Sequence, residues 1–352
     1  MPTISGVPGM ADLGWDDGWV AALAELSDPA LLPARVSRVD RGLCTVMTGT
    51  AEVRVAVQRG MEVAVGDWVA IDSRPAAGDR PRIEAVLPRR CVFRRAADAR
   101  GAAPQIVAAN IDTVVLCDAL DGSLSLRHLE RYLALAWQSG AVPVVLITKS
   151  DAAPPGVVAE VLEAVKAVAN GASVVVVSST TGEGIEDLAP YLVRGRTVAL
   201  LGLSGAGKST LVNLLAGAEI LATAAVRGDG KGRHTTTHRQ LVVLPGGGLL
   251  IDTPGMRALS VVGAGEGVER AFRDVEELAR GCEDTDCSHA GEQGCALAAA
   301  LSEGRLAPGR LESWLRLRAE PRSPDREVAR RVVEDRKRRK AAKFADRRAG
   351  RR

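Results

Sequence analysis

Aromatic side chains are scarce in this chain: five Trp, three Phe and two Tyr make up 3% of its 352 residues. Between residues 34 and 97 only Trp68 and Phe93 are aromatic, so that stretch lacks the row of rings on which single-strand binders stack successive bases. Cysteine is sparse as well; six residues are too few to staple a chain of this length with disulfides. No uncharged apolar run approaches the roughly 20 residues that span a bilayer. The opening stretch MPTISGVPGMADLGWDDGW carries acids where a secretion signal has a basic end and an apolar run. These absences lead to the expectation of a cytoplasmic protein without a membrane role. What the chain does have is 46% apolar residues, enough for the cores of two or three domains.

The net charge of +3 conceals an asymmetry. Residues 321–352 hold 14 Lys or Arg against 5 Asp or Glu, so the rest of the chain is acidic on balance. Such a basic tail reads either as a nucleic-acid contact or as a solvated end.

The pattern divides the chain. Residues 1–33 read as a loosely packed leader with one helical stretch, Trp19 to Leu26. Over 34–97 short runs of period two, such as Val53, Val55 and Val57, alternate with turns at Gly42, Gly49, Gly66 and Gly78. About five strands in that space make a small barrel, OB-like or SH3-like. Arg35, Arg38, Arg54 and Arg59 on it either meet phosphates of a structured duplex or solubilise one face. From 98 to 262 strands and helices alternate in α/β fashion, with strands at 113–117, 142–147, 173–177, 197–201, 240–244 and 249–252. The short connection 245–248, PGGG, predicts that the last two form an antiparallel hairpin at one edge of the sheet.

The central motif is GLSGAGKS, residues 202–209, set between an apolar strand and an amphipathic helix. Gly202, Leu203, Ser204, Gly205, Ala206, Gly207, Lys208 and Ser209, followed by Thr210, form a P-loop. Glycines let backbone N–H groups close on phosphate oxygens, Lys208 reaches the β and γ phosphates, and Ser209 offers its hydroxyl to Mg2+. Thr148, Lys149, Ser150 and Asp151 end a buried strand as T-K-x-D, where the Asp151 carboxylate can accept from the N1–H and N2–H2 of guanine, groups that adenine lacks. Ser178 and Ser179, after the next strand, are expected to offer backbone N–H to the guanine carbonyl. Asp252-Thr253-Pro254-Gly255 is D-x-x-G, with Asp252 on Mg2+ through water and the Gly255 N–H on the γ phosphate. Between them, GDGKGRHTTTH (228–238) reads as a switch that brings Thr236 to Mg2+. These are the parts of a GTPase in a rotated order, because the base clamp precedes the P-loop. The domain is circularly permuted, and whatever follows residue 262 is tied to the second switch. Two other readings stay open: an ATPase or kinase in which T-K-x-D is accidental, and an RNA-binding module with a vestigial nucleotide site.

Cys282, Cys287, His289 and Cys295 give C-x4-C-x-H-x5-C, a closed tetrahedral donor set for one structural Zn2+ per chain, flanked by helical patterns at 268–278 and 311–318. A helical zinc-binding domain over 263–320 is therefore expected, followed by the basic tail, 321–352. Hung on the second switch, it is placed to report nucleotide state.

The barrel, the permuted motif order, GRHTTTHR and the Cys/His cluster together resemble the ribosome small-subunit-dependent GTPase A family, RsgA or YjeQ. The resemblance covers about residues 34–320; it leaves out the leader and the tail, and Thr148 stands where the family more often has Asn. It implies a monomeric GTPase that cycles between GTP and GDP, binds the 30S subunit and its rRNA near the decoding region, acts in late subunit maturation and is stimulated by the subunit. Met256 follows D-x-x-G where many GTPases have a water-orienting glutamine. The nearest replacement is His234, whose neutral imidazole can accept a bond from water once docking orders the switch.

Overall fold

The computed structural model describes residues 8–72, 80–95, 105–122, 124–218, 240–252 and 265–319, with Arg95 and Asp252 described by backbone alone. The basic tail, His234, Thr236, Gly255 and Met256 lie outside the described residues.

Five strands build the barrel: β1 (Leu31–Asp40), β2 (Leu43–Met47), β3 (Glu52–Ala56), β4 (Trp68–Asp72) and β5 (Ile83–Val86). The long β1 pairs β4 with its first half and β2 with its second, and a register shift between Val36 and Arg38 bends it around the corner. A parallel bridge from Ala56 to Arg82 brings the end of β3 alongside the start of β5 and closes the ring. This strand circuit is that of an OB fold and decides against the SH3-like alternative. The period-two reading is met: Val55 is fully buried with Val36, Val46, Val69 and Ile83, while Arg54 between its neighbours is exposed. Trp68 and Phe93 are both buried, so neither offers a ring to a base.

A hairpin of β6 (Val92–Arg95) and β7 (Gln105–Ala109) then leads to the main sheet, straddling the division drawn at residue 97. The sheet strands are β8 (Thr113–Ala119), β9 (Val142–Thr148), β10 (Ser173–Val176), β11 (Thr197–Gly202), β12 (Gln240–Val243) and β13 (Leu249–Asp252), in the order β10-β9-β8-β11-β13-β12. All run parallel except β12. Helices α2 (Leu126–Ser139), α3 (Pro155–Ala169) and α4 (Lys208–Ala216) connect or follow these strands, and apolar side chains pack on both faces of the sheet. The β12–β13 hairpin forms as expected, but it is not a free edge. Gln240 of β12 pairs with Arg38 of β1, so the sheet continues into the barrel and the exposed backbone of an edge strand is covered.

The leader is corrected from loose to packed. Its helix α1 (Asp17–Ala24) starts two residues before the expected position because the Asp16 carboxylate caps it, accepting from the N–H groups of Gly18 and Trp19. Leu13 and Trp19 are buried, Trp15 and Trp19 pack on Trp68, and Asp12 and Asp16 pair with Arg194 and Arg90. Arg35 is corrected as well. It does not face phosphates; its guanidinium is buried, donating to the carbonyls of Leu13 and Asn110 and to the Thr197 hydroxyl.

After the sheet come α5 (Glu266–Ala271), α6 (Arg273–Ala279), α7 (Ala296–Ser302) and α8 (Pro308–Ala319). The single helix expected over 268–278 breaks at Phe272, whose backbone leaves helical geometry so that its ring can be fully buried. Gly267 lets α5 lie against α2, since a Cβ there would run into the Ala134 carbonyl oxygen.

Candidate nucleotide site and metal centre

The parallel strands β8, β9, β11 and β13 end at one edge, and the P-loop, Thr148–Asp151 and the backbone of Asp252 sit at that edge. β11 stops at Gly202, whose φ of 150° and close approach to β8 admit no side chain: a Cβ would collide with the Cys117 carbonyl oxygen. Gly205 and Gly207 then take left-handed φ values of 86° and 73°, and α4 begins at Lys208. Its first turn carries Ser209 and Thr210, so their N–H groups and the helix dipole face the loop. Lys208 Nζ folds across the loop to donate to the carbonyls of Gly202, at 2.9 Å, and Leu203.

Thr148 is a strut. Its buried hydroxyl lies 3.1 Å from the Ala206 carbonyl and 3.2 Å from that of Asp118, joining the P-loop to the ends of β8 and β9. Lys149 adopts a left-handed φ of 59° and pairs with Asp121 at 2.6 Å. Asp151 is held from the next strand: the Ser178 hydroxyl donates to its Oδ1 at 2.6 Å and itself accepts from the N–H groups of Thr180 and Thr181. The expectation that Ser178 offers its backbone N–H to a base is corrected, because that N–H donates to the Glu183 carbonyl at 3.0 Å. Sequence reasoning placed Ser178 in the site but missed the side-chain role. The hydroxyls of Ser150 and Ser179, flanking Asp151, are buried without a protein partner. Asp252 ends β13, the parallel neighbour of β11, on the same edge as Lys208. Glycine backbone, a lysine and a serine hydroxyl form a donor set that fits a nucleoside triphosphate with Mg2+.

The Cys/His loop closes on itself between α6 and α7. The four ligand atoms of Cys282, Cys287, His289 and Cys295 lie within 4.8 Å of one another. His289 Nδ1 is 3.6 Å from the Cys282 sulfur and 3.8 Å from that of Cys295. Zinc bonds of about 2.3 Å to sulfur and 2.1 Å to nitrogen would set tetrahedral ligands about 3.6–3.8 Å apart, so the donor set and its spacing fit Zn2+. His289 takes a left-handed φ of 60° to point inward, and its ring packs against Trp314 of α8 at 5.3 Å. Glu292 organises the turn, accepting from the N–H groups of Ser288 and Ala290 at 2.9 and 2.7 Å.

The centre is fastened to the nucleotide domain through α8. Arg310 is buried and donates to Glu130 of α2 at 2.8 Å, to both carboxylate oxygens of Asp274 at 2.5 and 2.6 Å, and to the Ala271 carbonyl. Burial pushes the Glu130 carboxyl up even against the pull of Arg310. Sequence reading gave no sign of this joint, since Arg310 and Glu130 are 180 residues apart.

Comparison with known proteins agrees with this geometry. A family model described as RsgA GTPase matches residues 86–262. A Streptomyces coelicolor protein named small ribosomal subunit biogenesis GTPase RsgA is 45% identical, with 88% of this chain and 86% of the relative covered. A Methanosarcina acetivorans protein of the same name is 39% identical over 86% of this chain and 83% of its own. Among solved structures, YjeQ from Thermotoga maritima superimposes with a TM-score of 0.62 at 25% identity, covering 82% of this chain and 97% of its own. YloQ, described as a circularly permuted GTPase, shares the fold with a TM-score of 0.59 at 22% identity, over 83% and 97%.

Proposed function

The chain belongs to the RsgA GTPase family, and from that membership we propose that its GTP hydrolysis serves late maturation of the 30S ribosomal subunit. In this reading the protein is a cytoplasmic monomer that binds the subunit and its rRNA and is stimulated by it. The names of the relatives, small ribosomal subunit biogenesis GTPase, support the ribosomal part. Among the described residues no helix is long and apolar enough to cross a membrane.

The observation that carries the nucleotide part is the chain of bonds from Ser178 to Asp151, with Thr148 tying the same segment to the P-loop at Ala206. Asp151 takes the guanine N1–H and N2–H2, the buried hydroxyls of Ser150 and Ser179 add polar capacity beside it, and the Ser179 N–H serves the guanine carbonyl. ATP would leave the oriented carboxylate unpaired, which disfavours the accidental T-K-x-D reading. Lys208 and the N–H groups of 203–210 hold the phosphates. Ser209, Thr236 and Asp252 would hold Mg2+, which when bound neutralises charge developing on the β and γ phosphates. His234 orients the attacking water, and Gly255 senses the γ phosphate. Asp151→Asn removes the acceptor for N1–H. GTP affinity should then fall by about 3 kcal/mol while xanthosine triphosphate gains, as read by competition against a labelled guanine nucleotide; unchanged GTP affinity would break the assignment.

A further inference from the structure

A cavity of about 380 Å3 lies where α8 crosses the first two turns of α2, bordered by the P-loop residue Leu203. Its volume is in the range of small-molecule sites, about 300–1,000 Å3. Arg127, His128, Arg131 and Tyr132 line it from α2 and Arg316 from α8, so three arginines and a histidine border it from two elements. Among the described residues the lining includes no carboxylate, and the first turn of α2 carries no acid. Arg127 pairs with Glu312 at 2.5 Å, but both side chains are about half exposed, at 49% and 60%, and such a pair exchanges readily for another anion. The helix dipole of the 14-residue α2 adds positive potential at the same place.

We propose that this cavity receives one unpaired nucleotide of an RNA strand, with its flanking phosphates on Arg127, Arg131 and Arg316 and its base against Tyr132. Guanidinium forks match phosphate oxygens bidentately, and an extruded base stacks on an aromatic or guanidinium plane. Tyr132 is one of two tyrosines in a chain with few aromatic residues. The site deepens the ribosomal reading and rests on it. Because Leu203 borders the cavity and its carbonyl holds Lys208 Nζ, an RNA nucleotide seated there touches the loop that binds phosphates. RNA occupancy and the nucleotide site then share a wall.

The test is co-sedimentation of the full chain with purified 30S subunits over a range of salt, comparing wild type with the double variant Arg131→Ala, Arg316→Ala and with Arg316→Lys. Labelled GDP binding and metal content verify that each variant is folded. The double variant should bind the subunit about tenfold more weakly, with a log–log salt slope smaller by about 1–2, while Arg316→Lys stays within about threefold of wild type. Equal affinity and slope for the double variant overturn the site and leave the ribosomal reading intact, whereas a wild-type chain that fails to sediment with 30S sinks both. A parallel titration with free AMP and UMP separates RNA from soluble nucleotide. Saturable binding lost in the double variant, with 30S affinity unchanged, would make this a small-nucleotide site and overturn the RNA assignment.

Discussion

Two units, the barrel and the C-terminal helices, are joined to the nucleotide domain with a buried arginine at each joint, and the two arginines differ in kind. Arg310 is matched by two carboxylates, Asp274 and Glu130, in charge-assisted bonds of 2.5–2.8 Å. Burial works against its charge, yet the hydrogen bonds and charges of Asp274 and Glu130 together outweigh it and its pKa is raised. Arg35 has only neutral acceptors, two carbonyls and the Thr197 hydroxyl, and its Nε is buried without a partner. Burial pushes it down, to about 10, and the distant pull of Asp112 and Asp67 does not restore it. A fully paired arginine makes a joint that is costly to open, while a cation among carbonyls makes one that is costly to keep. The C-terminal unit is therefore bolted to α2 rather than merely hung on the second switch, and its position follows α2. The barrel joint relies instead on the leader, whose Leu13 supplies a carbonyl to Arg35 and whose tryptophans cover Trp68.

The comparison can be broken in three ways. The largest effect is expected from Cys287→Ala, which forfeits a metal whose binding contributes on the order of 10 kcal/mol to sites of this kind. The loop around residues 282–295 should lose its zinc and its amide protection, yet α8 should stay on α2 and GTP binding should survive, because Arg310 makes that joint without the metal. Elemental analysis and hydrogen exchange check this, and freshly purified wild type without zinc would contradict the metal assignment.

Arg310→Ala comes next. It leaves Glu130, 3% exposed, buried without its cation, and should destabilise the chain by about 3–5 kcal/mol in denaturant unfolding. Adding Glu130→Met should recover much of that loss; no recovery would mean that packing rather than charge makes the joint. Arg35→Met is expected to cost the least, about 1–2 kcal/mol, because the bonds lost to neutral acceptors are offset by removing an unpaired buried charge. A loss as large as that of Arg310→Ala would erase the distinction between the joints.

The same contrast separates what was legible in the sequence from what was not. The P-loop, T-K-x-D and the Cys/His cluster are each carried by a short contiguous run, where spacing alone states the chemistry, and the structure brings Gly202–Ser209, Thr148–Asp151 and Ser178 to one sheet edge. The joints are written in single residues whose partners lie far away: Arg35 meets Thr197 across 162 positions and Arg310 meets Glu130 across 180. An arginine on an alternating strand is ordinarily solvated, so nothing local marked Arg35 as buried. Likewise the pairing of β12 with β1 depends on a register between two domains, and the break at Phe272 has neither Gly nor Pro to announce it. The role of the Ser178 hydroxyl was hidden because a motif specifies a position, not which of its polar groups is already spent.

The central claim, that this GTPase is completed by the small ribosomal subunit, is tested most directly by GTP turnover measured with and without purified 30S subunits, for wild type and for His234→Ala. The account predicts slow turnover by the free protein, a rise of at least about tenfold on adding subunits, and loss of that rise in His234→Ala with GTP and 30S binding retained. Turnover by wild type that is the same with and without 30S would contradict it, and wild-type stimulation in His234→Ala would move the water-orienting role to another group.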